Sequence, residues 1–501
     1  MLTQINLTWQ RCVSLVDKIN DQLTSYRLVL YVLLALLGWS VIGSFFHQVG
    51  FSWDHILAST ALILAVCWIA NKILSRALNI PANKESALIS GLILTLILSP
   101  ATTGSDYAIL AIAAAVAMAS KYVLVFRRAH IFNPAAFGAF VAGTIFSDYA
   151  SWWVGSKFTL PIVAIGGILI LRKIKRFSLA LVFSAVYVLI LILQVPTGSS
   201  TDTVQHLVWL GIIYTPLLFF ATIMLTEPLT SPATLNPTLI YAVAVGVVYS
   251  LNRLHISPEE SLLIGNALTF LIAPNRRFQF SFIHKVKDAE GIYSYVFSAP
   301  KNFNFKAGQY MEWTLKQAKS DSRGNRRYLT ISSSPTEKQV MFTVKLPSKP
   351  SAFKQQLEQL KPGDPILASY LTGSFTLPED TTRKLAFIAG GVGITPFRSM
   401  SKYLVDQNQK RDVGLIYAVS KKEEIAFRKV FTDLEPLGLK ALCTTSAITK
   451  QTIARSLPDY HERTFYISGS QAFTEFIRLH LTELGISQSR IKTDFFPGYG
   501  N

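Results

Sequence analysis

A glycine-containing stretch near residue 390 has the composition of a phosphate-binding turn. Its sequence is Lys384-Leu-Ala-Phe-Ile-Ala-Gly-Gly-Val-Gly-Ile-Thr-Pro-Phe397, an apolar run followed by glycines and a Thr-Pro pair. In a strand–glycine turn–helix segment, backbone N–H groups can approach a pyrophosphate closely because glycine has no Cβ. The candidate nucleotide-binding residues are Gly390, Gly391, Gly393, Thr395 and Pro396.

A second group of candidate residues lies earlier, in Arg327-Tyr-Leu-Thr-Ile-Ser332, which we interpret as an Arg-x-Tyr-Thr pattern on a strand. A forked guanidinium can bind a pyrophosphate, a tyrosine ring can face a flavin, and a small hydroxyl can lie at its redox edge. Arg327, Tyr328, Leu329 and Thr330 are therefore predicted to contact FAD. The pattern is weak alone, because aromatic and threonine residues are ordinary in strands.

The segments around these groups support both interpretations. Ser348-Lys-Pro-Ser351 precedes a predicted helix over residues 352–360, whose first amides can receive a phosphate. We add Ser351 and the nearby Lys345 to the candidate cofactor contacts. Strand-like alternation begins at Phe278, which predicts an antiparallel β-barrel FAD domain over 278–378 and an α/β nucleotide-binding domain over 381–501.

Together these motifs resemble the ferredoxin–NADP⁺ reductase family over residues 278–501. The resemblance implies that FAD binds at Arg327, Tyr328, Thr330 and Ser351, and that NADH or NADPH binds at the glycine turn. It also implies that Ser468 and Gly469, in Phe465-Tyr-Ile-Ser-Gly-Ser470, lie beside the nicotinamide, and that Tyr499 belongs to a closing aromatic segment. The resemblance makes Tyr328, Thr330 and Ser468 the residues nearest to hydride transfer.

Three departures from the family pattern bear on function. Ser348 stands where the family has glycine, which weakens one phosphate contact, and Ser468 and Ser470 replace the cysteine and proline of its Cys-Gly-Pro site. The region expected to meet a 2′-phosphate is ambiguous, because Ser420-Lys421-Lys422 is basic and Glu423-Glu424 follows at once. NADH and NADPH therefore both remain open.

The N-terminal half has a different composition. Of the 501 residues, 50% are apolar and 16% are charged, and the apolar runs are concentrated before residue 275. We predict a transmembrane domain over 27–275, preceded by a cytoplasmic segment over 1–26. Ten spans are expected, near residues 28–46, 56–74, 87–101, 107–126, 135–147, 159–171, 178–195, 205–225, 234–250 and 260–273.

The charges of the loops predict the orientation of these spans. Basic loops alternate with nearly neutral ones along the chain, and basic loops favour the cytoplasm. The basic side includes Arg27, Lys72 and Arg76, whereas no Lys or Arg surrounds Asp202. Both termini are therefore expected in the cytoplasm of a multi-pass protein of the cell membrane. The net charge of +18 follows from such loops, and nucleic-acid binding is not expected.

Three segments of the N-terminal half resemble the RnfD/NqrB family, the related membrane proteins of the Rnf complex and of the sodium-pumping NADH:quinone reductase. They are the run from Glu85 to Pro100, the run from Lys121 to Ala135 with its Ile-Phe-Asn-Pro-Ala core, and Ala221-Thr-Ile-Met-Leu-Thr-Glu-Pro-Leu-Thr-Ser-Pro232. The resemblance implies flavin-mediated electron transfer through the membrane domain. The family's covalent-flavin motif, Ser-Gly-Ala-Thr, is absent from residues 147–157, and Gly198-Ser-Ser-Thr201 matches it only in part. A noncovalent flavin, FMN or riboflavin, remains open for the membrane domain.

The sequence thus predicts a membrane-bound, FAD-dependent NAD(P)H dehydrogenase whose electron acceptor is open among a quinone, an extracytoplasmic flavoprotein and a metal. Three cysteines far apart exclude a self-contained four-cysteine cluster, and no protein metal site is expected. Two alternatives remain. One is a solute or ion transporter gated by an attached reductase. The other is a haem enzyme of the ferric-reductase type, although no two histidines are expected at one depth within the spans.

Overall fold

The chain divides into two units, Met1–Arg276 and Arg277–Asn501. The computed structural model describes residues 23–78, 84–126, 129–146, 150–196, 200–251, 256–273, 277–315, 325–348 and 350–494. The closing segment with Tyr499 lies outside these ranges, as do Gly198 and Ser199 of the partial flavin-attachment motif.

The first unit is helical. Its helices are α1 (Ser25–Phe45), α2 (Trp53–Ala77), α3 (Lys84–Ile97), α4 (Gly104–Val123), α5 (Pro134–Phe146), α6 (Leu160–Ile174), α7 (Phe177–Leu193), α8 (Thr201–Ile213), α9 (Leu217–Met224), α10 (Leu235–Ser250) and α11 (Pro258–Ile272). Capping boxes start two of them: Thr103 with Asp106 at α4, and Ser257 with Glu260 at α11. Between α4 and α5 lies a two-stranded antiparallel pair, β1 (Val125–Phe126) and β2 (Ala129–His130).

Each of the ten predicted segments contains a helix, but the predicted count of ten spans is not supported. Within the described residues, α1, α2 and α4 are long and apolar enough to cross a membrane. The pair α8 and α9, bent by 56°, would make a fourth candidate if it counted as one span. The 14 residues of α3 extend only about 21 Å at 1.5 Å per residue, short of a hydrocarbon core of about 30 Å.

The second unit begins with a six-stranded antiparallel sheet. Its strands are β3 (Phe278–Ala289), β4 (Ile292–Ser298), β5 (Tyr310–Thr314), β6 (Arg326–Thr330), β7 (Gln339–Lys345) and β8 (Pro365–Thr372), in the order β6-β5-β8-β3-β4-β7. Aromatic rings such as Phe280, Trp313 and Phe342 fill its core. We predicted a barrel, but the end strands β6 and β7 meet only near the bridge Ile331–Phe342, so closure is incomplete.

A parallel five-stranded sheet follows. It consists of β9 (Leu385–Gly390), β10 (Val413–Ala418), β11 (Leu439–Thr444), β12 (Thr464–Ser468) and β13 (Ile491–Asp494), in the order β11-β10-β9-β12-β13. The runs in β9 and β10 are apolar and buried because helices cover both faces of the sheet. The order of strand addition reverses between β9 and β12, where parallel α/β sheets bind ligands at their carboxyl ends.

The amino ends of β9 and β12 are joined by a charged cluster. Arg463 is buried and donates hydrogen bonds to both Asp459 oxygens, at 2.7 and 2.9 Å, and to Asp412 at 2.8 Å. Lys384 binds Asp459 at 3.0 Å. Burial alone would raise the pKa of Asp459, but the bonds from Arg463 and Lys384 outweigh it and hold that pKa at about 2.

This cluster predicts an acid-sensitive contribution to stability. The folded-state pKa of Asp459 is depressed from 3.8 to about 2, so its contribution is complete above about pH 4 and is lost as the pH falls through 2. The contribution is about 1–2 kcal/mol, because solvent screens part of the interaction of this partly exposed carboxylate. We expect Asp459→Asn in fragment 277–501 to lower the urea-unfolding free energy at pH 6 and to flatten its decline between pH 5 and pH 2. The control Asp433→Asn, at an exposed position, should behave as wild type.

Candidate functional site

The glycine turn lies at the carboxyl end of β9, next to the carboxyl end of β12. Gly391 has a φ of +55° and open space around its missing Cβ. A Cβ on Gly393 would lie 2.5 Å from the Ser468 carbonyl carbon and 2.6 Å from the Gly469 nitrogen. Only glycine permits this approach, so the turn and the Ser468–Gly469 segment, widely separated in sequence, form one site at the sheet reversal.

Phe473 completes this site. A Cβ on Gly390 would lie 2.9 Å from the Phe473 ring, and a Cβ on Gly469 would lie 2.7 Å from it. No sequence motif pointed to Phe473, which lies in helix α16 (Gln471–Glu483). Four helices of this unit precede α16 in the chain: α12 (Ala352–Glu358), α13 (Thr395–Asp406), α14 (Arg428–Leu434) and α15 (Lys450–Ser456).

Thr395 and Pro396 are the first two residues of α13, and both are buried. Proline is well suited to the first turn of a helix, because backbone N–H groups in that turn have no acceptor within the helix and proline lacks the N–H. The turn Gly391–Ile394 forms a short 3-10 helix that leads directly into α13. The predicted strand–turn–helix arrangement is therefore present, with backbone N–H groups at the carboxyl end of β9.

The predicted FAD contacts lie on both faces of β6, an end strand of the antiparallel sheet. Arg327 pairs with Trp313 and Leu329 with Met311, whereas Tyr328 pairs with Glu312 on the opposite face. Side chains alternate between faces along a strand, so Arg327 and Tyr328 point in opposite directions. The predicted Arg-x-Tyr-Thr pattern is therefore wrong in its spacing: Tyr328 directly follows Arg327, and Arg326 and Tyr328 have the Arg-x-Tyr spacing.

The two faces have different surroundings. The ring of Tyr328 lies edge-on to Tyr310 at 5.9 Å and to Tyr370 at 6.2 Å. Thr330 pairs with Tyr310. It lies two residues after Tyr328 on the same strand, so both side chains are on the same face. Three tyrosine rings from three strands thus form an aromatic surface, of which the sequence had indicated only one ring.

On the other face, Arg327 is brought to the start of α12. Its guanidinium carbon lies 5.1 Å from the centre of the Phe353 ring, in the helix that Ser351 caps by accepting a hydrogen bond from Lys354 N. Arg327 is buried. The structure therefore brings together Arg327 and the Ser351 segment, the two predicted pyrophosphate contacts.

Lys345, another predicted cofactor contact, is engaged by a carboxylate. Its ammonium lies 2.8 Å from Oε1 of Glu424, which is buried in the segment after β10. The Glu290 N–H also donates to the Glu423 carbonyl oxygen at 2.9 Å. Lys345 therefore links the antiparallel sheet to the nucleotide-binding sheet.

A second link joins the two sheets behind the glycine turn. Arg398 in α13 forms a two-point ion pair with Glu337, in which Nη2 and Oε1 are 2.9 Å apart. The Arg398 guanidinium also donates a hydrogen bond to the Ser332 carbonyl oxygen at 3.1 Å. The neighbouring Ser399 hydroxyl donates to the Ser333 carbonyl oxygen at 2.6 Å. The segment after β6 is thereby held against the helix that follows the turn.

The helical unit has a polar cluster of its own. Glu227 accepts hydrogen bonds from Asn133 Nδ2 at 2.9 Å and Thr230 Oγ1 at 3.0 Å, and His130 lies 3.4 Å away. Asn266 in α11 accepts a bond from the Asn133 backbone N–H at 2.8 Å. The Ile-Phe-Asn-Pro-Ala and Thr-Glu-Pro segments therefore meet, although the chain separates them.

A small pocket adjoins this cluster. Its lining combines polar and aromatic residues: Phe126, Ala129, His130, Ile131, Leu229, Thr230, Asn266, Thr269 and Phe270. Within the described ranges no group of three or more His, Cys, Asp or Glu side chains could hold a metal ion.

Comparison with known proteins assigns the second unit. Residues 387–478 match the family described as "Oxidoreductase NAD-binding domain". Over 242 residues the chain is 28% identical to the flavohemoprotein of Bacillus cereus, a match covering 43% of this chain and 60% of the relative. The second unit is an FAD- and NAD-binding oxidoreductase module of the ferredoxin–NADP⁺ reductase type.

Other known proteins are similar to the same part of the chain. The glycine betaine monooxygenase reductase subunit of Chromohalobacter salexigens is 22% identical over 250 residues, covering 46% of this chain and 67% of the relative. A solved FAD/NAD-binding domain of nitric oxide dioxygenase from Vibrio cholerae is 21% identical with a TM-score of 0.39, covering 43% of this chain and 97% of that domain. The chain spans about 60% of the length of the flavohemoproteins it matches.

Proposed function

We propose that this protein is a membrane-bound flavoprotein that oxidises cytoplasmic NAD(P)H and passes the electrons to or across the membrane. The observation that carries the proposal is the close approach of Gly393 to Ser468 and Gly469 at the sheet reversal. That approach places the backbone of the turn beside the carboxyl end of β12, where a dinucleotide can lie across the sheet reversal.

In this proposal the glycine turn and the start of α13 hold the NAD(P)H pyrophosphate. Gly391 leaves open space beside the turn, and Gly390 and Gly393 allow the turn to lie close to Phe473 and Ser468, while Thr395 and Pro396 begin the helix. Ser468 and Gly469 then lie beside the nicotinamide. Ser468 is buried, so it can restrict the position of the ring without carrying charge.

FAD fits the residues around β6. In the described residues, β5 is the only strand paired along β6, so a long ligand following its other edge can reach both faces. Arg327 and Ser351 would hold the pyrophosphate, and Leu329 shares their face. Tyr328 would present its ring to the isoalloxazine, with Thr330 near the redox edge. When bound, FAD accepts hydride equivalents from NAD(P)H and releases electrons singly.

The helical unit is proposed to be the membrane part and to resemble the RnfD/NqrB family. Three helices of suitable length and composition, counted over the described residues, support membrane insertion. The hydrogen bond from Asn133 to Glu227 brings two of the resembling segments together in one polar cluster. A noncovalent flavin in this unit, and a quinone, flavoprotein or metal as final acceptor, complete the proposal.

The proposal is tested on the full-length protein purified in detergent. We expect bound FAD and oxidation of NADH or NADPH with ferricyanide as acceptor. After reconstitution into liposomes, NAD(P)H added outside should reduce an acceptor trapped inside. Colourless protein that stays inactive after incubation with FAD would refute the reductase function. Solute flux without NAD(P)H would instead favour the transporter.

The membrane orientation makes a separate prediction. Reporter fusions at Asn501 and at the start of α8 near Asp202 should lie on opposite sides of the membrane, because Arg276 and Arg277 follow the last predicted span on the side of Asn501, whereas no Lys or Arg lies near Asp202. Paired alkaline phosphatase and green fluorescent protein fusions would measure this, with a fusion at Lys157 as a further extracytoplasmic point. Cytoplasmic signals at both Asn501 and Asp202 would contradict the proposed orientation.

A further inference from the structure

The structure bears on the choice between NADH and NADPH, which the sequence left open; this inference rests on the proposed function. In a doubly wound sheet the adenosine ribose lies at the carboxyl end of the strand after the glycine turn, where a carboxylate selects NADH and a cation accommodates the 2′-phosphate. That strand is β10, and its last residue, Ala418, pairs with Gly390 of the turn. The residues after Ala418 therefore lie beside the expected ribose.

No carboxylate stands at this strand end. Ala418, Val419 and Ser420 occupy it, and Val419 is buried with its N–H bonded to the Thr444 carbonyl oxygen at 3.0 Å. NADH-selective sheets carry an aspartate or glutamate at this strand end, where it binds the ribose 2′-hydroxyl and repels a 2′-phosphate. Residues 418–420 include no such carboxylate.

The acidic residues that made the sequence ambiguous come later. Glu424 is only 8% exposed, and its carboxylate is neutralised by Lys345 at 2.8 Å. Its backbone carbonyl oxygen accepts from the Tyr417 hydroxyl at 3.4 Å. Glu424 therefore anchors the segment to the antiparallel sheet. Only Glu423 remains as an exposed carboxylate in the segment.

The exposed cations outnumber that carboxylate. The segment after β10 and the start of α14 carry four of them, all exposed: Lys421, Lys422, Arg428 and Lys429. Arg428 begins α14 and folds back so that its Nη2 donates to the Lys422 carbonyl oxygen at 3.3 Å. This contact brings the start of α14 to the segment after β10, so the cations come from two elements that meet beside the strand end.

We propose that Lys421, Lys422 and Arg428 form a 2′-phosphate site and that the protein prefers NADPH. A phosphate monoester carries about −1.5 to −2 charges at neutral pH, which suits a cluster of cations. Arg428 offers a planar fork for two phosphate oxygens, and the lysines supply further donors. The adenosine of NADH would leave these cations without a partner.

The test compares the two nucleotides on full-length protein with ferricyanide as acceptor. Wild type should show kcat/KM for NADPH at least about tenfold above that for NADH, because a site built for a polar group discriminates against the analogue lacking it. In the double variant Lys421→Glu/Lys422→Glu, kcat/KM for NADPH should fall about tenfold or more, and kcat/KM for NADH should change less than about twofold. Added salt should raise KM for NADPH more than KM for NADH.

The matched control is Lys440→Glu, an exposed lysine of β11 that pairs with Gly414 near the amino end of β10. This variant should leave kcat/KM unchanged for both NADPH and NADH. Calorimetry with 2′,5′-ADP and 5′-AMP gives a readout without hydride transfer: wild type should bind 2′,5′-ADP more tightly, and the double variant should not. A preference for NADH, or equal losses with both nucleotides, would overturn the 2′-phosphate site. Absence of FAD with retained 2′,5′-ADP selectivity would overturn the proposed function alone.

Discussion

Replacing Gly393 with glutamate should reduce kcat/KM for both NADH and NADPH by at least about 100-fold, while the purified protein keeps its FAD. The Cβ of the new residue would lie 2.5 Å from the Ser468 carbonyl carbon and 2.6 Å from the Gly469 nitrogen. These are backbone atoms of a buried strand end, so they cannot move aside as a flexible side chain would. Overpacking of this kind costs about 1–3 kcal/mol, and the carboxylate adds repulsion of the pyrophosphate.

The smaller variant Gly393→Ala separates the two effects, since it keeps the steric clash without the charge. We expect it to lose about tenfold in kcat/KM, with FAD content unchanged. Gly38→Ala is the matched control, because a Cβ there meets nothing within 4 Å. Flavin absorbance gives FAD content, and stopped-flow reduction of the flavin by NADPH gives nucleotide use. Wild-type reduction rates in Gly393→Glu would show that the nucleotide binds elsewhere.

Arg327→Ala should weaken FAD binding by at least about 30-fold, the second large effect. Arg327 lies against Phe353 at the start of the helix capped by Ser351, where its fork can meet two phosphate oxygens. Hydrogen bonds to charged groups contribute about 1.5–3 kcal/mol each. Titration of flavin-free protein with FAD, followed by flavin fluorescence, would measure the dissociation constant.

Two further variants keep this prediction interpretable, because Arg327 is buried and its loss could disturb folding. Arg327→Lys retains the charge and loses the fork, so it should give an intermediate affinity. Arg383→Ala removes an arginine whose side chain is 60% exposed and should leave FAD binding unchanged. Equal FAD affinity in wild type and Arg327→Ala, with matching circular dichroism, would refute the assignment.

The local motifs of the reductase module could be predicted from sequence because each depends on neighbouring residues. The run Leu385–Gly390 is a buried apolar strand, and Gly391 supplies the positive φ needed by the turn that follows it. The helix start at Thr395 and Pro396 obeys the same local rules. FAD and NAD binding by this module agrees with the comparisons, whereas the individual site residues stay predictions.

The helical unit shows where local reasoning fails. Apolar runs correctly indicated ten helical segments. An apolar run does not by itself make a helix long enough to span a membrane, and helices such as α3 are too short to qualify by length. The contact of Asn133 with Glu227 was also beyond prediction, since each residue alone looks like a helix-end polar group. Only folding brings them within hydrogen-bonding distance.

By itself the sequence indicated the class of chemistry: it predicted a glycine turn for a dinucleotide, an arginine and a capped helix for a pyrophosphate, and an apolar half for a membrane. The tertiary structure decided which groups share a surface. Strand alternation put Arg327 and Tyr328 on opposite faces. An ion pair with Lys345 neutralises the carboxylate of Glu424, which the sequence alone does not reveal. Sequence motifs depend on the local conformation of the chain. The burial of a side chain, its ion pairs and the sheet face on which it lies depend on contacts between residues far apart in sequence.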